Sequence, residues 1–508
     1  MSHILQRFAA SLLDSVLQWS SEVTSALFAT VTDANVPVIG SRPNIYLANL
    51  TLHAISTALV RRGVDINAWL LTAAFDGHTD VVRALVFAGA DVNLQQEDGS
   101  SPLSVASQEG HIDCVKLLVD SGAEVDIHNN DGATPLHEAA FNGRIEVVQF
   151  LTEQHANVNA CRSDGQNCLL PAAFFGHTDV VRARLSARAD VNLKRNDGSS
   201  PLSMASQEGH IDCVKLLVES GAEVDIRNND GATPLHQAAF NGRIEVVQFL
   251  IEQHADVNAC RSDGQNCLLP AAFYGHTAVV RALLSARADV NLKRNDGFSS
   301  LSMASQEGHI DCVKLLVESG AEVETCNNDG QTPLYWAASK GNIEVVQFLI
   351  EQYADVNACE NKGRSCLWTA AFSGNTDVVR ALVSAAADIH LPKNDGSSPL
   401  TAASQQGHID CVKLLVGAEV DTRANGGTTP LFWAAQEGHI EVVQFLIEQH
   451  ADVNAYDSKG RSCLRAAAFY GHTHVVHALS SAGADVNLQQ NDRFSPVNVA
   501  SQHGRSLV

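Results

Sequence analysis

Positive charge is scarce in this sequence. The 508 residues hold 34 Lys and Arg against 57 Asp and Glu, a formal charge of −23. Nucleic acid and anionic membrane surfaces repel such a chain unless a local basic patch overrides the average. No such patch is found, and the acidity is spread out: residues 197–295 contain 12 Asp/Glu and 8 Lys/Arg. Nucleic acid is therefore not an expected partner, and the surface reads as solvated and acidic.

Long apolar runs are also missing. None reaches the ~18–20 residues that a membrane span needs. The N-terminal stretch MSHILQRFAASLLDSVLQW is a poor signal peptide, because Asp14 breaks its apolar run, and a poor transit peptide, with one arginine and an acidic residue. The expectation is an intracellular, cytoplasmic protein without a membrane span, with the nucleus as the alternative compartment. Catalytic signatures are lacking too: there is no P-loop, G-x-S-x-G, H-E-x-x-H or kinase-type motif.

What the chain does have is repetition. Apolar residues make up 45 % of it and charged residues 18 %, enough for a packed core. An Asp-Gly turn or a variant recurs at Gly99, Gly132, Gly165, Gly198, Gly231, Gly264, Gly297, Gly330, Gly363, Gly396, Gly427 and Gly460. Every interval is 33 residues except the 31 from Gly396 to Gly427. The segment SQEGHIDCVKLLV returns at 107–119, 206–218 and 305–317, and with one change at 404–416, so the duplicated unit is a triplet of modules. Twelve modules run over 98–491. Atypical repeats precede them at 51–97, residues 1–50 carry no repeat, and a truncated stub follows at 492–508.

One module, DGATPLHEAAFNGRIEVVQFLTEQHANVNACRS at 131–163, can be read physically. Asp131-Gly132 is a tight turn. Thr134 caps a helix that Pro135 opens. Leu136, Ala139 and Ala140 form its buried stripe, and Gly143 ends it in the left-handed conformation. Ile145 to about Glu153 is a second helix, with Ile145, Val148 and Leu151 as its apolar face. The stretch ANVNACRS is an extended arm. Each helix is shorter than the ~12–15 residues that make an isolated helix even marginal. Stability must therefore come from stacking module on module.

This pattern resembles the ankyrin repeat, marked by its 33-residue period and T-P-L-H-x-A. TPLHEAA at 134–140 and TPLHQAA at 233–239 match fully, and GADVN at 89–93 and 483–487 matches the arm. The resemblance covers residues from about 51 to the end. It implies an all-α fold: a solenoid of stacked helix-turn-helix pairs with β-hairpin-like arms, whose arms and first helices line a concave surface that binds other proteins. Some modules depart from it. Tyr335 and Phe432 replace the TPLH histidine, as do Ser104, Ser203, Ser302 and Leu170. Pro171 and Pro270 predict an irregular start to their first helices. The two-residue deletion near Gly417 predicts a shortened second helix or loop and a local shift in stacking.

The ends differ from the array. Ile4, Leu5, Phe8, Leu12, Leu13, Val16, Trp19, Val23 and Leu27 follow helical spacing, which predicts an amphipathic helix serving as a cap or as a partner-binding element. The stub lacks a polar capping face, so it reads either as a natural end or as a truncation.

Twelve cysteines invite a metal or disulfide reading. Cys114, Cys213, Cys312 and Cys411 hold one place in the triplet, about 30 Å apart at packed-helix spacing, too far for a shared zinc ion or a disulfide. Cys161/Cys168, Cys260/Cys267 and Cys359/Cys366 are spaced C-x6-C, without histidines or further cysteines at zinc spacing. They read as structural or free thiols in a reducing compartment. His78, His111, His177 and His276 open second helices and read as structural. Asn159, Asn258, Asn357 and Asn454 lie in the arms. Similar asparagines in the resembled family can be hydroxylated by a dioxygenase, but here they read first as ties of the turn. No catalytic, metal or cofactor site is expected.

Partner-binding candidates are the places that vary between copies. The residue after TPL(H) is Glu138, Gln237, Trp336 and Trp433, and Trp368 is taken as the equivalent of Trp336 one module on. Beyond the paired alanines stand Phe75, Phe141, Phe174, Phe240, Phe273, Phe372 and Phe469, followed in some modules by Phe175, Tyr274 and Tyr470. With Leu169 as zero and about 100° per residue, Ala172 and Ala173 fall near −60° and +40°, Phe174 near +140° and Phe175 near −120°. Neither ring lies on the buried stripe. Phe174 is expected to brace the neighbouring module, while Phe175 is the better contact residue. The candidates are thus Phe174, Phe175, Phe273, Tyr274, Trp336, Trp368, Trp433, Phe469 and Tyr470, at a protein-interaction scaffold that performs no catalysis. Two other classes share the pattern: a regulatory array of a larger enzyme or channel, and a mechanical spacer. Neither partner identity nor oligomeric state is encoded legibly.

Overall fold

The computed structural model describes residues 65–417 and 419–486. The amphipathic segment of residues 1–50, the start of the atypical repeats and the stub at 492–508 lie outside these described residues. Within them stand 26 helices in sequential pairs, from Ile66–Phe75 to Thr473–Ser481. They divide into two units, one ending at Ala255 and the other beginning at Asp256. Each unit is an all-α stack of helix-turn-helix pairs joined by hairpin arms.

The local chemistry explains the pairs. At Pro102–Glu109 the Ser104 N–H donates to Ser101 Oγ (3.1 Å) and the Ser101 N–H donates to Ser104 Oγ (2.7 Å), a reciprocal cap on the first turn. Pro102 sits where a missing N–H costs nothing. In the TPLH modules the threonine and histidine play the same two parts: the Thr233 N–H donates to His236 Nδ1 at 3.2 Å. Each first helix ends at a residue of positive φ. Gly176, at φ 72°, is such a residue, and a Cβ there would lie 2.6 Å from His210 Nδ1 of the next module. Glycine is therefore required twice over at this place. A second helix follows, then an arm that turns back at Asp-Gly. Single antiparallel bridges such as Cys161↔Asn167 and Cys359↔Ser365 close the arms into short hairpins.

The core is the seam between pairs. Leu136, Ala139 and Ala140 of the first helix Pro135–Phe141 are fully buried. In the second helix Ile145–Glu153 the buried residues are Val147, Val148 and Leu151, while Ile145 is only half-buried. The apolar face is thus turned from the expected one, because this helix packs against its own partner and against second helices on both sides. Among the described residues, hydrogen bonds between modules such as Asp91 N to Asn67 Oδ1 and Asn342 Nδ2 to Ser305 O join neighbours, 24 and 37 residues apart.

Both expected irregularities are present. The helix Leu169–Phe174 has six residues, and Cys168 before it is already helical at φ −67°, ψ −16°. Asn167 Oδ1 caps it, accepting from Leu169 N (3.2 Å) and Leu170 N (3.1 Å). Pro171 has no N–H to give the Asn167 carbonyl, whereas Thr369 donates to Ser365 O at 3.0 Å in the equivalent place. The deletion shortens a second helix to Ile409–Leu415, and Val416 turns extended at ψ 96°. The hairpins nevertheless keep their register: Asn425 Nδ2 donates to Asn394 O at 3.1 Å across the deletion. Among the described residues the change shows at the helix end.

Candidate partner-binding site

The sequence candidates lie at the C-terminal ends and on the hairpin side of the first helices. Phe174 is half-buried and Phe175 is 43 % exposed. Phe273 is half-buried, while Tyr274, Phe469 and Tyr470 are exposed. Trp336 and Trp433 are half-buried. The Trp433 indole N–H donates to Thr428 Oγ1 at 3.1 Å.

Trp368 departs from expectation. It is only 6 % exposed. The place 33 residues after Trp336 belongs to Thr369, so Trp368 falls in register with Tyr335 and with the TPLH histidine. Ser365 Oγ caps its N–H at 3.1 Å, its indole N–H donates to Ser397 Oγ at 3.2 Å, and its ring stacks on Phe372 at 5.2 Å. Lys393 Nζ lies 5.1 Å from the ring centroid. Trp368 holds a helix to its hairpin and does not display a ring.

In the first unit three rings converge. Phe175 meets Phe141 of the preceding module at 4.7 Å between centroids and Phe174 at 5.0 Å, both edge to face. It also stacks on His177 at 6.0 Å. Phe141 is 42 % exposed, so two large rings are held in contact in the open. The backbone beneath them is fixed: His177 Nε2 donates to Phe141 O at 3.0 Å and His210 Nε2 to Phe174 O at 2.9 Å. The periodic histidines are therefore structural ties from the start of one second helix to the end of the first helix of the preceding module.

The second unit brings fewer candidates together. Phe273 pairs with Tyr274 at 4.9 Å and Phe469 with Tyr470 at 5.0 Å, but these pairs belong to its first and last described helix pairs. Trp336 finds Phe298 at 5.5 Å, and Arg294 covers the Phe298 ring at 5.3 Å. Phe298 was not among the candidates. Its signal was legible, since the other copies hold Ser199 and Ser397 at that place.

The remaining periodic residues are structural. Asn159 Oδ1 accepts from Asp190 N at 2.9 Å, and Asn258, Asn357 and Asn454 do the same for Asp289, Asp388 and Asp485. The asparagines thus tie one arm to the next. A second asparagine row links hairpin tips: in the second unit Asn328, Asn361 and Asn394 each donate to the backbone of the preceding tip. Cys114 lies 3.3 Å from Thr79 Oγ1, and Cys213, Cys312 and Cys411 repeat the contact. Burial raises all four thiols above the usual cysteine range. Among the described residues no three His, Cys, Asp or Glu side chains are grouped as metal ligands would be. No described helix is long and apolar enough to cross a membrane.

The sequence matches the family model for ankyrin repeats (3 copies) over 70–162, 169–261, 253–327, 301–393, 367–457 and 400–490. The chain belongs to the ankyrin-repeat family, whose arrays are in general protein–protein interaction modules. No match is found among curated proteins.

Proposed function

We propose that this chain is a non-catalytic scaffold that holds partner proteins on the groove face formed by its first helices and arms. The observation that carries this reading is the Phe141–Phe174–Phe175 cluster. Two of its rings stay exposed although the helices that bear them have buried their leucine and alanine stripes. Aromatic side chains displayed on a rigid backbone are typical anchors of interfaces, and such an anchor contributes about 2 kcal/mol or more when truncated. Trp336 with Phe298, Trp433, Phe273 with Tyr274, and Phe469 with Tyr470 are the corresponding contacts of the second unit. A cytoplasmic location fits the same reading, as does the array of twelve modules over 98–491.

The test is quantitative affinity capture with the whole chain, read by mass spectrometry, beside Phe175→Asn and Trp433→Ala. Asparagine already occupies the Phe175 place at Asn142 and Asn241, so the first variant folds. The expected outcome is a loss of at least tenfold in the captured partner with an unchanged circular dichroism spectrum. Undiminished capture by both variants would refute the assignment.

A further inference from the structure

One core place in the first unit is filled by a charge. Second helices bury a leucine near their C-terminal end: Leu85, Leu118, Leu151 and Leu217 are all fully buried. In the helix Thr178–Ser186 the residue at this place is Arg184, which is 0 % exposed. Its Nη1 donates to Thr152 Oγ1 at 2.7 Å, while Nε and Nη2 have no hydrogen-bond partner. A guanidinium carries five donors and keeps its charge at any ordinary pH. Burying it without a carboxylate leaves desolvation largely uncompensated.

The chain contains its own comparison. The later copies hold Leu283, Leu382 and Leu479 at the Arg184 place, and Ile251, Ile350 and Ile447 at the Thr152 place. The polar pair therefore occurs together in one copy and is absent together from the other three. The first helix of the same module is six residues long and contains Pro171, and its capping residue Asn167 leaves Nδ2 buried without a partner. The copy with Leu283 shares both features at Pro270 and Asn266, so the buried guanidinium is what sets the module of Arg184 apart. Beside the guanidinium, and in polar contact with it, lies the Cys168 thiol, fully buried and donating to Val158 O at 3.4 Å. Burial raises this thiol and the charge of Arg184 opposes the shift.

We propose that Arg184 makes residues 145–189 an opening seam of the first unit: the helices Ile145–Glu153 and Thr178–Ser186 part while flanking modules stay folded, and Cys168 becomes reactive through that opening. The driving force is the rehydration of the guanidinium, which the closed seam denies. Cys267, Cys366 and Cys463 sit at the equivalent place beside leucine and have no such route.

The experiment is native-state labelling of the whole chain with N-ethylmaleimide, followed residue by residue by mass spectrometry. The thiol sulfur adds across the maleimide double bond and its proton passes to the neighbouring carbon, so no oxidant is needed. Cys168 is expected to react at least tenfold faster than Cys267. Arg184→Leu, which installs the residue of the other copies, is expected to slow Cys168 at least tenfold. Thr152→Ile, which removes the hydroxyl that accepts from the guanidinium, is expected to speed it. Hydrogen exchange at the amides of 178–186 separates opening from thiol chemistry and is expected to slow at least tenfold in Arg184→Leu. Equal labelling of Cys168 and Cys267, or unchanged exchange in Arg184→Leu, would overturn the proposal.

Discussion

At the scale of single residues, the TPLH histidine shows how a helix cap sets pH sensitivity. His137 Nδ1 accepts from the Thr134 N–H at 3.2 Å and lies 2.9 Å from Thr134 Oγ1, while Nε2 reaches Gln166 O at 3.2 Å. These bonds require a neutral ring with its proton on Nε2. Burial, above all, brings His137 down to about 4 from its ordinary 6.5. Between these values the unfolded chain takes up a proton that the folded chain refuses, so stability falls as pH drops through this window and levels off below it. At about 1.4 kcal/mol per unit, the loss amounts to roughly 3 kcal/mol. Ser104, Ser203 and Ser302 fill the same place in other modules. His137→Ser is therefore expected to fold and to lose less stability than the parent between pH 7 and pH 4.5, measured as the urea midpoint. Identical acid sensitivity would show that the histidine titrates as freely in the folded chain as in the unfolded one.

At the scale of elements, the ends of the second helices hold strain that the sequence makes visible. Where other modules place Gly89, Gly122, Gly221 or Gly320, this chain puts His155, Arg188, His254, Arg287, Tyr353, Ala386 and His450 at φ between 60° and 66°. Tyr353 is 94 % exposed, so it gives up little contact if replaced. The left-handed conformation costs a non-glycine residue about 1–2 kcal/mol. The extra chain entropy of glycine offsets about 0.4–1 kcal/mol of that. Tyr353→Gly is thus expected to raise stability by roughly 0.5–1 kcal/mol. A lower melting temperature would mean that the ring makes a stabilising contact in solution. Caps, turns and helix ends were legible because each answers a demand of the local backbone, as at Ser101, Pro102 and Gly176. The same legibility covered the half-burial of Phe174 and the exposure of Phe175, but the ring that reaches the neighbouring module is Phe175, on Phe141, and not Phe174 as expected. What escaped depends on neighbours. Val147 outranks Ile145 in burial because its helix packs against three others, and Trp368 belongs to the register of Tyr335, one place earlier than aromatic likeness to Trp336 implied. Arg184 was written openly, as Ala183-Arg184-Leu185 against Ala282-Leu283-Leu284, yet turn residues set the period and carry no information on a core exception.

At the scale of the whole molecule, these local effects have no means of averaging out. Among the described residues each module touches its neighbours in sequence, through hydrogen bonds that span about one module, such as the 37 residues from Asn342 to Ser305, so stability is close to a sum of module and interface contributions. A charge buried at Arg184 then weakens its own seam and leaves distant modules untouched. Arg184 and Tyr353 lie in different units and share no partner, so their effects should be independent. Unfolding in urea is accordingly expected to proceed in more than one step. Arg184→Leu should move the step reported by exchange in residues 145–186, and Tyr353→Gly the step reported by residues 333–351. The double variant should show both shifts at their single-variant sizes, within about 0.5 kcal/mol. If instead all regions exchange through one transition that either substitution moves as a whole, then coupling runs along the array far beyond nearest neighbours. The seam at Arg184 could not then open by itself, and a partner bound at Phe141 and Phe175 would stabilise every module together.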